Sequence, residues 1–258
     1  MKGITFIYFS ATETTARCAR AVGKGLGLPI NREINIADNH TTELPFFQND
    51  DVAIIAAPVY AGRLPQKAVD TIRILRSKGA FAIGLVVYGN RDYDDALLEL
   101  TDMLKKSRFN IIGAGAFIGQ HSIFPNVANR RPDKTDTTLL EQFGAECRAR
   151  LEAGLPFEEI EVSGAFPYKR PAPVPLHPKC DSARCRRCGE CVRKCPVGAI
   201  PSGDPTATQD EKCISCGRCI HVCTNYARRY SGIKYKLVAK VFETKVKERK
   251  EPIWTVAR

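Results

Sequence analysis

The sequence predicts an α/β fold: a doubly wound, five-stranded parallel sheet, followed by a small α+β module rich in cysteine. Two observations support this prediction. Up to about residue 155, short apolar runs alternate with amphipathic segments, which is typical of parallel strands joined by right-handed helical crossovers. Farther along, eight cysteines recur at regular spacing between residues 185 and 223, which indicates a separate ligand-binding module.

Apolar runs predict the strands of the sheet. Most of these runs are continuous, as expected for parallel strands covered on both faces, whereas residues 30–36 include polar side chains and indicate an edge strand. The predicted strands are residues 4–9, 30–36, 52–57, 81–88 and 111–118. Amphipathic spacing predicts helices at residues 15–26, 66–77, 94–106 and 137–151. Cys18 and Cys147 fall on or near the apolar sides of two of these helices, so we expect both to be buried.

The composition changes after residue 165. Five prolines favour an extended connector at residues 166–180; they are Pro167, Pro171, Pro173, Pro175 and Pro178. We therefore predict a sheet domain at 1–165, a cysteine module at 181–230 and a basic amphipathic extension at 231–258. The apolar side of the extension comprises Leu237, Val238, Val241, Phe242 and Val246. Packing against the rest of the protein is favoured over a helix lying on a membrane surface.

The cysteines form two copies of the run C-x2-C-x2-C-x3-C. The first copy is Cys185, Cys188, Cys191 and Cys195, and the second is Cys213, Cys216, Cys219 and Cys223. This run is typical of two [4Fe–4S] clusters, in which the last cysteine of each run binds the other cluster. One cluster then takes Cys223 with the first three cysteines, and the other takes Cys195 with the fifth to seventh. Proline follows the first run at Pro196, whereas Thr224 follows the second.

Two other uses of these cysteines are less consistent with the spacing. Zinc sites usually pair two C-x2-C units across a longer stretch and often include histidine. Disulfide frameworks occur in short secreted chains, whereas this chain has 258 residues and opens on a strand-like run without a signal-peptide pattern. Cys180, five positions before the first run, is interpreted as a spare thiol, with ligation of a cluster as the alternative. We expect a cytoplasmic protein without a membrane span.

The positive charge is concentrated in the last third of the chain. Residues 169–258 contain 20 Lys and Arg against 8 Asp and Glu, whereas residues 1–168 contain 19 against 20. Two clusters with their thiolates would contribute about −2 each. Redox partner proteins of acidic character are therefore favoured over nucleic acid.

The loop after the first strand predicts a phosphate site. Ligands of open parallel sheets bind at the carboxyl ends of the strands, and residues 10–15 place several hydroxyls there at the start of a helix. The candidate residues are Ser10, Thr12, Thr14 and Thr15. The alternative is a helix N-cap with no ligand, because Ser and Thr are also preferred caps.

The loops after the third and fourth strands each contain an aromatic residue and glycine. With the first loop, they make residues 1–165 resemble flavodoxins. This resemblance implies FMN, with its phosphate on Ser10, Thr12, Thr14 and Thr15 and its ring between the other two loops. The implied ring residues are Pro58, Val59, Tyr60, Ala61, Gly62, Tyr88, Gly89, Asn90, Arg91 and Tyr93. Glu13 and Thr14 depart from the flavodoxin pattern, and the carboxylate of Glu13 has to point away from a phosphate.

Over essentially its full length the chain resembles flavodoxin–ferredoxin fusion proteins of anaerobic bacteria. The motifs that carry the resemblance are P-V-Y-A-G-R-L-P from residue 58, Y-G-N-R-D-Y-D-D-A-L from residue 88, G-Q-H-S-I-F from residue 119, R-R-P-D from residue 130 and the two cysteine runs. The resemblance implies electron transport between two [4Fe–4S] clusters and FMN. Two alternatives stay open. One is an FMN-dependent reductase that delivers electrons from ferredoxin to a small molecule, and the other is a maturation factor in which the clusters are structural.

Three residues near the predicted flavin loops have alternative interpretations. His121 is either a proton donor or a residue that fixes its loop. Arg130 and Arg131 either neutralise a reduced flavin or an acidic ligand, or lie in a solvated loop. No G-x-G-x-x-G sequence follows a strand, so a nicotinamide site is not predicted.

Overall fold

The structure is a computed structural model that describes residues 3–39, 43–154, 158–172 and 174–258. Pro173, one of the predicted connector prolines, lies outside the described residues. The strands are β1 (Ile4–Tyr8), β2 (Ile30–Asn35), β3 (Phe46–Phe47), β4 (Val52–Pro58), β5 (Arg76–Ser77), β6 (Phe81–Tyr88), β7 (Asn110–Ile118), β8 (Lys179–Cys180), β9 (Arg228–Arg229) and β10 (Ile253–Val256). The helices are α1 (Thr14–Leu26), α2 (Gln66–Ile72), α3 (Ala96–Lys106), α4 (Lys134–Ala153), α5 (Glu190–Arg193), α6 (Arg218–His221) and α7 (Ile233–Lys245).

The main sheet has the strand order β10-β7-β6-β4-β1-β2. Its five parallel strands, taken in chain order, follow the flavodoxin-like doubly wound order 2-1-3-4-5. The mixed run at residues 30–36 forms β2 at the edge, as predicted. β4 is buried along its whole length, as the continuous apolar run indicated.

The structure corrects two predictions about this domain. The sheet has a sixth strand, because β10 from the C-terminal extension pairs antiparallel with β7. The second helix ends at Ile72 rather than at residue 77. Residues 76–77 instead form β5, which pairs in parallel with β3.

Two hydrophobic cores cover the two faces of the sheet. One lies beneath α1 and α4, and it contains both Cys18 and Cys147 at 0% exposure, as predicted. The other lies beneath α2 and α3 and extends to Cys216 of the cysteine module. The second core therefore joins the sheet domain to the module.

The cysteine module repeats one local geometry. α5 and α6 are single turns that begin after Gly189 and Gly217, whose φ angles are 74° and 75°. Glycine adopts this left-handed conformation without the steric cost that a Cβ imposes. The two cysteine runs therefore fold alike, and β8 pairs antiparallel with β9 beside them.

The C-terminal extension folds back onto the sheet domain. Phe242 on α7 packs against Phe124, with ring centroids 4.8 Å apart, and Trp254 of β10 stacks on Phe117 at 6.1 Å. Leu237 and Val241, however, are 63% and 57% exposed on the outer side of α7. Among the described residues, no helix combines the length and the apolarity needed to cross a membrane.

Candidate functional site

The first cysteine cavity combines both runs. It is lined by Cys185, Cys188, Cys191 and Cys223, so the last cysteine of the second run lies with the first three of the first run. Cys188 is exposed and the other three are partly exposed, which places the cavity at the protein surface. Cys180 also lines it.

The second cavity has the reciprocal set. It is lined by Cys213, Cys216, Cys219 and Cys195, of which Cys195 and Cys216 are buried. The two cavities are nearly equal in volume, as two copies of one cofactor require. Across the described ranges, no three Cys, His, Asp or Glu side chains converge enough to hold a single metal ion. A cubane does not need such convergence, because each of its four cysteines binds a different iron atom.

A buried arginine lines each cysteine cavity. Arg228 lines the first and Arg218 the second, and they are 2% and 7% exposed. In both side chains Nε is buried without a hydrogen-bond partner. Buried donors normally have acceptors, and a cluster with its thiolates is both anionic and rich in acceptor sulfur. The residues of both cavities therefore fit an iron–sulfur cluster.

The thiols of the two cavities differ in acidity. In the second cavity, burial raises the pKa of Cys216 to about 12 and also raises the pKa of Cys213. In the first, burial raises the pKa of Cys223, but the N–H groups of Ala227, Arg228 and Asn225 outweigh it and hold that pKa below its ordinary value. Burial also raises the pKa of Cys191 in the first cavity, so only Cys223 has a lowered pKa among these thiols.

A third cavity, of about 290 Å³, lies at the carboxyl edge of the sheet. Thr12, Thr14 and Thr15 line it at the start of α1. Glu13 is the N-cap residue, with a left-handed φ of 62°, and its side chain does not cap the helix. Its carboxylate instead pairs with Arg20 at 3.2 Å, away from the cavity. Hydroxyls at a helix N-terminus suit a phosphate.

The loops after β4 and β6 form the sides of this third cavity. They contribute Pro58, Val59, Tyr60, Ala61, Gly62, Tyr88, Gly89 and Arg91. Gly89 lies against the ring of His121, where an added Cβ would be 2.5 Å from the ring carbon Cδ2. A larger residue at position 89 would therefore displace the His121 loop.

Three of the predicted FMN residues lie outside the cavity lining. Ser10 is buried, and its Oγ accepts a hydrogen bond from the Ala16 N–H at 3.2 Å. Asn90 anchors the C-terminal extension, because its Nδ2 donates to the carbonyls of Val246 and Glu248. The ring of Tyr93 packs against Tyr88 with centroids 5.6 Å apart. These three residues therefore hold the loops in position from outside the cavity.

His121 and Arg131 are held by neighbouring groups. His121 Nδ1 accepts hydrogen bonds from the backbone N–H groups of Ile123 and Phe124 at 3.1 and 3.2 Å, so the proton of the neutral ring is assigned to Nε2. Burial, assisted by the charge of Arg91, lowers the pKa of His121 to about 4. Arg131 is buried and pairs with Asp136 at 2.5 Å, whereas Arg130 is exposed. His121 therefore fixes its loop, and Arg131 fixes the start of α4.

The sequence did not indicate how elements from outside the sheet domain close this cavity. Additional lining residues come from the connector, the cysteine module and α7; they are Val174, Pro175, Leu176, Ile214, Ser215, Val238 and Phe242. Ile214 also lines the second cysteine cavity. The two cavities therefore share a wall that is one residue thick at Ile214.

Comparisons with known proteins give matches to two parts of the chain. Residues 177–228 match the family model of the 4Fe–4S dicluster domain. A comparison with curated proteins gives no match. The part of the chain that follows the sheet domain is therefore similar to iron–sulfur domains of the dicluster type.

Several solved structures are similar to the sheet domain. Flavodoxin 1 from Bacillus cereus is 17% identical with a TM-score of 0.42, covering 59% of this chain and 99% of that protein. A flavodoxin from the domain Archaea is 9% identical with a TM-score of 0.38, covering 58% and 98%. Rubredoxin oxygen:oxidoreductase from the anaerobe Desulfovibrio gigas is 13% identical with a TM-score of 0.43, and the match covers 59% of this chain but only 37% of that protein. The flavodoxin-like fold assigned here follows from the strand order itself.

Proposed function

We propose that this chain is an electron-transfer iron–sulfur flavoprotein that passes electrons between two [4Fe–4S] clusters and FMN. The observation that carries the proposal is the shared wall: Ile214 lines both the second cysteine cavity and the cavity at the sheet edge. Electron transfer requires cofactors in close approach, and this wall brings two proposed cofactors together. Clusters transfer single electrons, whereas a flavin accepts one or two.

Particular residues would hold each group. Cys185, Cys188, Cys191 and Cys223 would ligate the first cluster, and Cys213, Cys216, Cys219 and Cys195 the second. Thr12, Thr14 and Thr15 would bind the FMN phosphate, and the loops at Tyr60 and Tyr88–Arg91 would bind the ring. Ser10 would act through the position of its loop, because its carbonyl accepts from Arg218 NH1 at 2.9 Å.

The positions of the three cavities support an order of electron transfer through the molecule. The first cavity is at the surface, and it is followed inward by the second cavity and then by the sheet-edge cavity. Cys191 of the first cavity and Cys219 of the second both pack against the apolar cluster of Cys195, Ala199 and Ile200. A partner protein would therefore exchange electrons with the first cluster. The basic balance of residues 169–258 favours an acidic partner, and ligation by thiolates is compatible with the reducing cytoplasm.

The size of the sheet-edge cavity favours a carrier over a reductase. Its volume of about 290 Å³ is at the lower end of the ~300–1,000 Å³ typical of ligand pockets. Val238 and Phe242 of α7 cover it together with residues 174–176 of the connector. The remaining space suits one bound ligand rather than a flavin with a separate substrate.

Anaerobic reductive titration tests the proposal. Both the flavin absorbance and the iron–sulfur absorbance should decrease on reduction and recover fully on reoxidation by an oxidised ferredoxin. A flavin that stays oxidised while the clusters are reduced would contradict electron transfer between them. Clusters that resist reduction would indicate a structural role.

A further inference from the structure

Arg228 is a buried cation without an anionic partner among the described residues. Its terminal nitrogens donate to uncharged oxygens: Thr208 Oγ1 at 2.8 Å and the carbonyls of Pro205 and Ala207. No ion pair found in the described part of the chain involves Arg228. The carboxylate of Asp204, in the same loop, pairs with Arg187 instead. Among the described residues, the guanidinium therefore has no carboxylate in direct contact, although its charge acts on Asp204 through space.

Such a charge requires an anion nearby. Burial of an unpaired ion costs several kcal/mol, and buried charges in proteins are normally paired or bound to a ligand. Arg228 lines the first cysteine cavity, where its Nε lacks an acceptor. A [4Fe–4S] cluster with four thiolates, at about −2, would supply both the negative charge and the acceptor.

Arg218 provides the internal comparison. Its Nε also lacks a partner, at the second cavity. Its guanidinium, however, pairs with the Asp38 carboxylate and donates to the Ser10 carbonyl at 2.9 Å. The second cluster would therefore experience a cation whose charge is already compensated, whereas the first would experience a full buried charge.

We propose that Arg228 is the buried counter-ion and N–H···S hydrogen-bond donor of the first cluster, and that it raises the reduction potential of that cluster. This inference rests on the proposed function, because it requires both clusters. Reduction adds one electron and takes the cluster with its ligands from about −2 to about −3. A nearby buried cation stabilises the more negative form, so an electron resides preferentially on the outer cluster.

Redox titration followed by electron paramagnetic resonance tests the inference. In Arg228→Gln, the equilibrium constant for reducing one cluster should fall by at least tenfold, which is about 59 mV for one electron. Arg229→Gln is the matched control, because it removes the same charge at the next position from an exposed side chain that pairs with Asp181. It should produce a much smaller shift. Arg218→Gln should shift the reduction step of the second cluster and not that of the first, because Arg218 lines the second cavity.

Equal shifts in Arg228→Gln and Arg229→Gln would overturn the inference while leaving the proposed function intact. A wild-type protein that binds no iron would instead contradict the proposed function itself. If Arg228→Gln loses the first cluster, iron analysis of Arg228→Lys decides between charge and packing. Restoration of iron by lysine would support the counter-ion role, and equal loss in both variants would overturn it.

Discussion

The two cysteine cavities arise from the same sequence run and differ in what surrounds them. The first cavity lies at the surface with Cys188 exposed, whereas the second is enclosed with Cys195 and Cys216 buried. α5 and α6 occupy equivalent places in the repeat, 28 positions apart, but the first residue of α5 is Glu190 and that of α6 is Arg218. The repeat therefore determines which cysteines line each cavity, and the residues between the cysteines determine the environment of each cavity.

The second cavity is fastened to the sheet domain by polar contacts. Arg218 reaches the Ser10 carbonyl in the predicted phosphate loop, and Asn39 Nδ2 donates to the Cys195 carbonyl at 2.7 Å. Glu190 pairs with Arg193 of its own short helix. The second cavity is thus held against the predicted flavin loops, and the first cavity is left accessible at the surface.

Loss of one ligand should affect the two cavities separately, and this is the largest expected effect. Cys195→Ser should remove the second cluster and reduce the iron content from about eight to about four atoms per chain, because none of the first cavity's cysteines changes. Cys223→Ser should remove the first cluster instead. The two variants should therefore retain clusters with different paramagnetic resonance spectra. Full iron content in both variants, or identical residual spectra, would contradict the ligand exchange.

The equivalent positions Arg218 and Glu190 should differ in their contribution to stability. Arg218→Met removes the hydrogen bond to the Ser10 carbonyl and the pairing with the partly exposed Asp38 carboxylate, and it should lower the free energy of unfolding by about 2 kcal/mol. Glu190→Gln is the matched control and should cost less than about 1 kcal/mol, because its ion pair is exposed. Anaerobic urea unfolding monitored by the fluorescence of Trp254 measures both. Similar destabilisation by the two variants would show that the contact of Arg218 with the sheet domain contributes no more to stability than an exposed ion pair does.

The stability of the protein should also depend on pH through His121, which lines the sheet-edge cavity. Burial lowers the pKa of His121 to about 4, below the value of about 6.5 for a free histidine, so acid protonates the unfolded chain first. The contribution of neutral His121, of the order of 3 kcal/mol, is complete above about pH 6.5. It is lost progressively between pH 6.5 and pH 4.

The variant His121→Asn isolates this contribution. Its Oδ1 can accept the N–H groups of Ile123 and Phe124 without titrating. Between pH 6.5 and pH 4, the free energy of unfolding of this variant should fall less steeply with decreasing pH than that of the wild type. The difference in slope should correspond to about one bound proton. Parallel stability curves would show that the ring does not stay neutral in the folded protein.

Flavin retention should depend on the hydroxyls that face the cavity and not on the neighbouring carboxylate. Thr12→Val and Thr14→Val should each weaken FMN binding by about tenfold, because a hydrogen bond to a charged group contributes about 1.5–3 kcal/mol. Glu13→Gln, in the same loop, should have little effect because Glu13 pairs with Arg20 on the outside. Quenching of flavin fluorescence on binding measures all three affinities. A larger loss in Glu13→Gln than in the threonine variants would place the phosphate elsewhere.

The elements with strong hydrophobic periodicity could be predicted from the sequence. Continuous apolar runs predicted four of the five parallel strands, and the mixed run at β2 predicted the edge strand. The strand β10 was missed because its four residues follow a basic, proline-containing stretch, although Ile253, Trp254, Thr255 and Val256 are all strand-forming types. α2 was extended too far because β5 pairs with β3 through a tertiary contact that periodicity does not reveal.

The candidate site was predictable where spacing determines chemistry. The cysteine runs indicated both sets of cavity residues in advance, because ligand spacing reflects cluster geometry. The buried arginines Arg218 and Arg228 carry no such signal, since a sequence does not distinguish a buried guanidinium from an exposed one. The same applies to Ile214, whose position between two cavities depends on how the module docks on the sheet.

Quantitative analysis of iron, sulfide and flavin in protein purified without oxygen tests the central claim most directly. The account predicts about eight irons, about eight sulfides and about one FMN per chain, as two four-iron clusters and one flavin require. Protein that contains zinc in place of iron and sulfide, or that carries no flavin, would contradict it.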